Sequence, residues 1–320
     1  MTLLYTDPLF LKHDTGPHHP ETPERLQAIT ARLEKKNLIK KCTAGNYKPL
    51  AEETVAKLHT PKLVTAAKQI AEHGGGRLDA DTVVSSDSFR VALAAAGAAA
   101  AAVDAVMASG GRESRGDRNA LCLIRPPGHH ATPTKSMGFC LFNNIALAAR
   151  HATSKHQLTR VLIVDFDVHH GNGTQDIFYE APDVVFFSIH RYGMGFYPGT
   201  GAKDETGHGK GLGHVFNAPV RFGTSRKDYH AHFTSVLEKA ADKIKPELVL
   251  VSAGFDAHAK DPIGSLGLEV EDFATMTKQV LEVAKTHAKG RLVSCLEGGY
   301  NVEMLAESVQ AHLEELLRSA

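Results

Sequence analysis

Five short apolar runs rich in β-branched residues punctuate the chain: Leu121–Ile124, Val161–Phe166, Val184–Ile189, Leu248–Ser252 and Leu292–Leu296. Runs of this length without polar alternation predict strands buried on both faces. Between them the apolar positions recur at helical spacing. Thr22-Pro23 marks a helix start, with Leu26, Ile29 and Leu33 on one face. Ser225 and Asp228 resemble a capping box ahead of Phe233, Val236, Leu237 and Ala240. A last stripe after Val302 holds Leu305, Val309, Leu313 and Leu316. Strands alternating with helices imply an α/β fold with a mostly parallel sheet covered on both faces. No stretch reads as a hinge between two cores, so a single domain over residues 1–320 is expected.

Three segments depart from this rhythm. Val91–Met107 is long and apolar, but it is mostly alanine and carries Asp104, which predicts a packed helix rather than a membrane span. Residues 108–119 read as a surface loop, and residues 193–214 as a long glycine-rich one. The glycine loop lacks the order and helix placement of a P-loop, so phosphate binding is not expected there.

Four of the strands run into unusual polar clusters. RPPGHHA follows Ile124, DFDVHHGNGTQ follows Val164, SAGFDAH follows Val251 and LEGGYN follows Leu296. Ligands of open α/β sheets bind outside the carboxyl ends of the strands, so the four clusters converge on one site.

Asp165, Asp167 and His169 alternate along what reads as an extended segment. Alternate residues of a strand share a face, so Asp167 and His169 can reach one metal together, with Asp256 as the third donor. Two carboxylates and one imidazole leave a position on zinc for water. Taken alone the DxDxH pattern equally suits acidic residues that cap loops. His129 and His130 follow a stiff Pro-Pro-Gly turn, and a neutral histidine beside a metal-bound water serves as general base and then acid. Tyr300, after two glycines, can donate to a developing oxyanion or simply pack.

Composition narrows the partners. Lys+Arg and Asp+Glu both number 36 and the pI is about 7.3, which argues against a general nucleic-acid or membrane surface. Cys42, Cys122, Cys140 and Cys295 form no CxxC pair and read as reduced, packed thiols of a cytoplasmic protein. Asp7, Lys12 and Asp14 interrupt the apolar region that a signal peptide needs. A homo-oligomer is compatible with the sequence.

Taken together, RPPGHHA, GFCLFNN, DFDVHHGNGTQ, YPGTG, SAGFDAH and LEGGYN resemble, in order, the motifs of histone deacetylases and their bacterial class II-like relatives. Acetylpolyamine amidohydrolases and acetoin-utilisation proteins share that superfamily. The resemblance spans residues 17–305 and implies an arginase-like α/β fold with an eight-stranded parallel sheet flanked by helices. It implies hydrolysis of acyl amides, of lysine side chains or of small acylated amines, with Asp167, His169 and Asp256 as zinc ligands. Ferrous iron suits the same ligands. It further implies His130 as general base and acid, His129 as its electrostatic neighbour, Asp165 as the carboxylate orienting His129, and Tyr300 as the carbonyl-polarising phenol. Gly138, Phe139 and Tyr197 match tunnel-lining positions, and Arg25 an arginine near the acetate exit channel. A structural potassium ion is implied at Asp165, Asp167, His169 and Ser188, mainly through main-chain oxygens.

Two positions depart from relatives. Asn172 stands where class I members have an aspartate, which should leave His130 less basic. Ile263 occupies the region where a polyamine-selective relative places an acidic gatekeeper, with Asp261 nearby. Two rival readings remain. A two-manganese ureohydrolase has a DxHxD signature that Asp256-Ala257-His258 begins, although Lys260 fills its fifth position. A non-catalytic acyl-lysine binding module would need none of the histidines or Tyr300.

Overall fold

The structure, a computed structural model, describes residues 2–108 and 119–320. Most of the loop expected at residues 108–119 lies outside the described residues. The strands are β1 (Leu3–Tyr5), β2 (Thr43–Ala44), β3 (Gly75–Asp79), β4 (Thr82–Ser85), β5 (Asn119–Cys122), β6 (Val161–Asp165), β7 (Val184–Arg191), β8 (Val215–Val220), β9 (Leu248–Ala253) and β10 (Leu292–Leu296). The helices are α1 (Pro23–Lys35), α2 (Glu52–Val55), α3 (Pro61–Glu72), α4 (Ser88–Ala108), α5 (Asn144–Lys155), α6 (Asn172–Phe178), α7 (Arg226–Ile244), α8 (Val270–His287) and α9 (Val302–Ser319).

Eight strands form one parallel sheet in the order β2-β1-β5-β10-β9-β6-β7-β8, and β3 and β4 make a separate antiparallel hairpin. Every residue of β5, β6, β9 and β10 is buried, as continuous apolar runs between two helical layers require. The expected strand at Leu121–Ile124 begins and ends two residues earlier, at Asn119–Cys122. The chain leaves the ladder ahead of Pro126 and Pro127, which have no N–H to offer it. Three sheet strands are absent from the sequence reading. β1 and β2 span only 3 and 2 residues, too short for periodicity. β8 contains Pro219, which the sheet accepts because β8 is an edge strand.

α4 is long and apolar enough to cross a membrane by length and composition, yet 67% of its apolar window is buried inside the protein. It packs on α5, β5 and β10. At Gly97 the approach is so close that a Cβ would lie 2.1 Å from the Lys48 carbonyl oxygen. At the start of α7, Ser225 Oγ accepts from the Asp228 N–H at 3.1 Å and donates to its carboxylate at 2.6 Å. Glu269 and Asp272 make the reciprocal capping box, at α8.

The N-terminal part of the chain is tied to the strand ends by a fully buried ion cluster. Glu21 pairs with Arg125 through Nε–Oε1 at 2.5 Å and Nη2–Oε2 at 2.7 Å, and with Arg25 Nη1 at 3.1 Å. Arg25 also donates from Nε to the Gly299 carbonyl at 2.7 Å and from Nη2 to the Glu297 carbonyl at 2.5 Å. Burial alone would push the Glu21 carboxyl up, but Arg125 outweighs it and holds the group at about 2. This lies below its ordinary value of 4.5, so the stability it contributes is complete above 4.5 and is lost as pH falls through about 2. Removing one member of a buried pair leaves an uncompensated charge. Glu21→Gln should therefore destabilise the fold by about 3–5 kcal/mol in denaturant melts at neutral pH. The deficit against wild type should narrow as the melts are repeated at lower pH. A deficit that stayed constant in acid would deny the carboxylate this role.

Candidate active site

The four polar clusters meet at the carboxyl edge of the sheet. Strand β6 ends at Asp165, and the chain beyond it is not extended as expected. Asp165 Oδ1 accepts the Asp167 N–H at 3.1 Å, and Asp167 Oδ1 accepts the His169 N–H at 2.9 Å. These local side-chain bonds compete with the ladder and bend the backbone. Asp167 and His169 thus come together through turns, not through strand alternation.

The donor atoms of Asp167, His169 and Asp256 all lie within 4.8 Å of one another. His169 Nδ1 stands 3.1 Å from both Asp167 Oδ1 and Asp256 Oδ2. The other carboxylate oxygens are fixed by backbone donors, Gly298 N to Asp167 Oδ2 and Val168 N to Asp256 Oδ1, both at 2.8 Å. Two glycines clear the space. A Cβ on Gly254 would sit 2.0 Å from Asp167 Oδ2, and one on Gly298 would sit 2.2 Å from Asp256 Oδ2. Burial and then the Asp167 charge push the Asp256 carboxyl up to about 7. Asp167 itself is held well below the usual range despite burial, by His129 and His169. Two buried carboxylates against a single imidazole are short of positive charge, and a divalent cation fits this donor set.

His129 and His130 follow the Pro-Pro-Gly turn and receive opposite environments. His129 Nδ1 lies 2.9 Å from Asp165 Oδ2. Burial would lower its pKa, but the Asp165 and Asp167 carboxylates prevail and hold it at about 10. His130 Nδ1 instead lies 2.8 Å from the Asn172 side-chain oxygen. Burial, then His129 and His169, push it well below the ordinary histidine value. With the Asn172 oxygen as acceptor, the His130 proton sits on Nδ1 and leaves Nε2 as a free base.

Sequence reasoning passed over Glu297, the acid within LEGGYN. It is fully buried, and its Oε2 accepts the N–H groups of Gly128 at 2.6 Å and His129 at 3.2 Å. It thereby fixes the turn that aims the histidine pair. Burial pushes its carboxyl up to about 7. A glutamate inside an otherwise apolar strand end was the available signal.

Around His130 stand the residues expected to line a tunnel. The Tyr197 ring meets His130 edge-on with centroids 5.1 Å apart, and its buried hydroxyl has no hydrogen-bond partner among the described residues. Gly138 and Phe139 both adopt positive φ, +57° and +68°. Phe139 lies edge-on to Tyr300 at 5.7 Å, and the Arg25 guanidinium lies 5.0 Å from the Tyr300 ring centre. Phe196, not anticipated, stacks on His169 at 5.1 Å, and the Arg191 guanidinium lies over its ring at 4.3 Å. Ser188 sits opposite Asp165 in register and shares a 2.9 Å hydrogen bond with His190. Ile263 is half-buried. Asp261 is consumed by the loop itself, accepting from the N–H groups of Ile263 and Gly264 at 2.9 Å, Tyr300 at 2.7 Å and Asn301 at 3.3 Å.

His258 takes no part in the Asp167–His169–Asp256 cluster. Its Nδ1 accepts the Lys260 N–H at 3.1 Å, and its Nε2 faces Glu269 at 3.5 Å. The glycine-rich loop is pinned by Glu205, whose carboxylate accepts the N–H groups of Gly201 and Ala202 at 3.0 Å. Those donors are therefore not offered to a phosphate.

Residues 19–316 match the histone deacetylase domain. The chain is 35% identical to the histone deacetylase-like amidohydrolase of Pseudomonas aeruginosa, over 100% of this chain and 87% of that protein. It is 41% identical to the human (Homo sapiens) polyamine deacetylase HDAC10, over 93% of this chain and 44% of that protein. Its fold superposes on the crystal structure of the HDA15 HD domain with a TM-score of 0.91 and 36% identity, covering 99% of this chain and 88% of that one. The chain belongs to the histone deacetylase family and is a hydrolase acting on amides.

Proposed function

We propose that the protein removes acyl groups, chiefly acetyl, from lysine side chains, using a zinc ion held by Asp167, His169 and Asp256. The observation that carries this reading is a neutral imidazole, His130, beside a buried trio of two carboxylates and one imidazole whose donor atoms converge within 4.8 Å. When bound, the ion supplies Lewis acidity toward the amide carbonyl and toward water. Ferrous iron suits the same donors.

His130 Nε2 takes the proton of the attacking water and hands it to the leaving amine. Asn172 holds that ring in the required tautomer without adding negative charge. His129, kept cationic by Asp165, opposes premature protonation of its neighbour. The Tyr300 hydroxyl donates to the oxyanion as the tetrahedral carbon forms. Arg25 braces the Tyr300 turn and lines the way out for the carboxylate product. Asp165, Asp167, His169 and Ser188 would hold a structural potassium ion, which would offset carboxylate charge at the same strand ends.

The slender apolar stem of lysine suits a wall of Gly138, Phe139 and Tyr197. An acylated polyamine is the second reading, favoured by the name of the human relative. Its extra ammonium groups require a carboxylate partner when they leave water. At this rim Ile263 is apolar and Asp261 already accepts four backbone donors.

Asp167→Ala and Asp256→Ala should each lose both the bound metal and turnover, read by metal analysis and a fluorogenic acetyl-lysine peptide. Either variant keeping stoichiometric zinc and normal rates would end the ligand assignment. Tyr300→Phe should lower kcat by about a hundred- to a thousand-fold while metal content stays unchanged. Near-normal turnover would reduce Tyr300 to packing. For specificity, kcat/KM should be higher for an acetyl-lysine peptide than for acetylspermidine or acetylputrescine, and Ile263→Glu should shift preference toward the polyamines. A wild-type preference for either polyamine would reverse the substrate assignment.

A further inference from the structure

We propose a second metal site, built by Asp104, His151 and His156, that takes a borderline divalent cation such as zinc. Asp104 projects from the last turns of α4, His151 lies on α5, and His156 caps the end of α5. His151 Nε2 and His156 Nε2 converge on one oxygen, Asp104 Oδ1, at 2.8 Å and 2.7 Å. The three donor atoms lie within 4.8 Å of one another. Two imidazoles and a carboxylate are a donor set that zinc, nickel and copper favour over harder ions.

The geometry is close to what such an ion requires. With zinc–nitrogen and zinc–oxygen distances of about 2.0–2.2 Å, neighbouring ligand atoms of a tetrahedral site stand roughly 3.3 Å apart. The two contacts must open by about half an ångström to admit the ion. The side chains are 20%, 35% and 22% exposed for His151, Asp104 and His156, so they have room to do so, and water completes the shell. Two helices end here, and the carbonyl end of a helix favours a cation.

Lys155 shares the Asp104 carboxylate. Lys155 Nζ lies 2.8 Å from Oδ2, the oxygen that the histidines do not use, and its side chain is 56% exposed. It orients Asp104 without occupying the place of the ion, and solvent screens its charge.

This site is separate from the one described above. His156 lies just before β6, at the amino edge of the sheet, whereas Asp167 lies beyond the carboxyl end of the same strand. A five-residue strand rising about 3.3 Å per residue puts roughly 15 Å or more between them. A bound ion would clip α4 to α5, two helices that pack side by side, and would stabilise the fold by mass action.

The test is a zinc titration of the metal-stripped full chain against a chromophoric chelator. Wild type should bind one equivalent more than His151→Ala, His156→Ala or Asp104→Asn, and all three variants should retain wild-type turnover. Zinc should also shift the imidazole nitrogen resonances of His151 and His156 in the wild-type protein, a measurement that needs no variant to fold. Equal stoichiometry in wild type and variants, or unmoved His151 and His156 resonances, would overturn the site. Because the count is a difference, it stands whatever metal the Asp167 cluster holds.

Discussion

Two carboxylates, Asp167 and Asp256, are held side by side out of water, and the surroundings answer to that constraint. Like charges in a dry site repel strongly, so they persist together when backbone donors, an imidazole and a cation offset them. The sheet supplies the first of these by topology. The order β10-β9-β6 makes neighbours of the strands that end in the Gly298 N–H, in Asp256 and in Asp165-Phe166-Asp167. Glycine at 254 and 298 leaves the volume that the carboxylate oxygens fill. A parallel sheet with all carboxyl ends on one edge is what lets four distant segments share one small volume.

Within that volume, two adjacent histidines are given opposite charge states by the partners of their Nδ1 atoms and by their neighbours. Both are buried to the same degree, so burial does not separate them. Asp165 beside one, and Asn172 beside the other, do. The turn carrying both is fixed by Glu297, whose own main-chain carbonyl accepts from Arg25. Arg25 in turn is part of the Glu21–Arg125 cluster. The network that anchors the N-terminal segment therefore also sets the geometry of the histidine turn and of Tyr300.

The sequence carried the central strands and the convergence of the polar clusters, because both are local: continuous apolar runs, each followed at once by chemistry. What it did not carry is nonlocal. β1 is recognisable only once β5 is beside it, and β2 only once β1 is in place. Glu297 and Glu21 look like ordinary acids until backbone N–H groups and guanidinium groups from distant segments close around them. The DxDxH segment misled in the other direction. Its alternation suggested a strand, whereas the aspartates spend their oxygens on bending the chain. Asp261 is near Ile263 in sequence, and in the structure its oxygens hold the loop.

The alanine-rich helix α4 has a consequence for how this sequence can drift. Alanine fills most of its length, and glycine-to-alanine is a single-nucleotide change that helices ordinarily welcome. At position 97 that substitution is the one the fold excludes, because the added methyl would meet backbone atoms of Lys48 and Pro49, which no rotamer change can move aside. In any lineage, glycine at 97 stays locked until the segment around Lys48 shifts first.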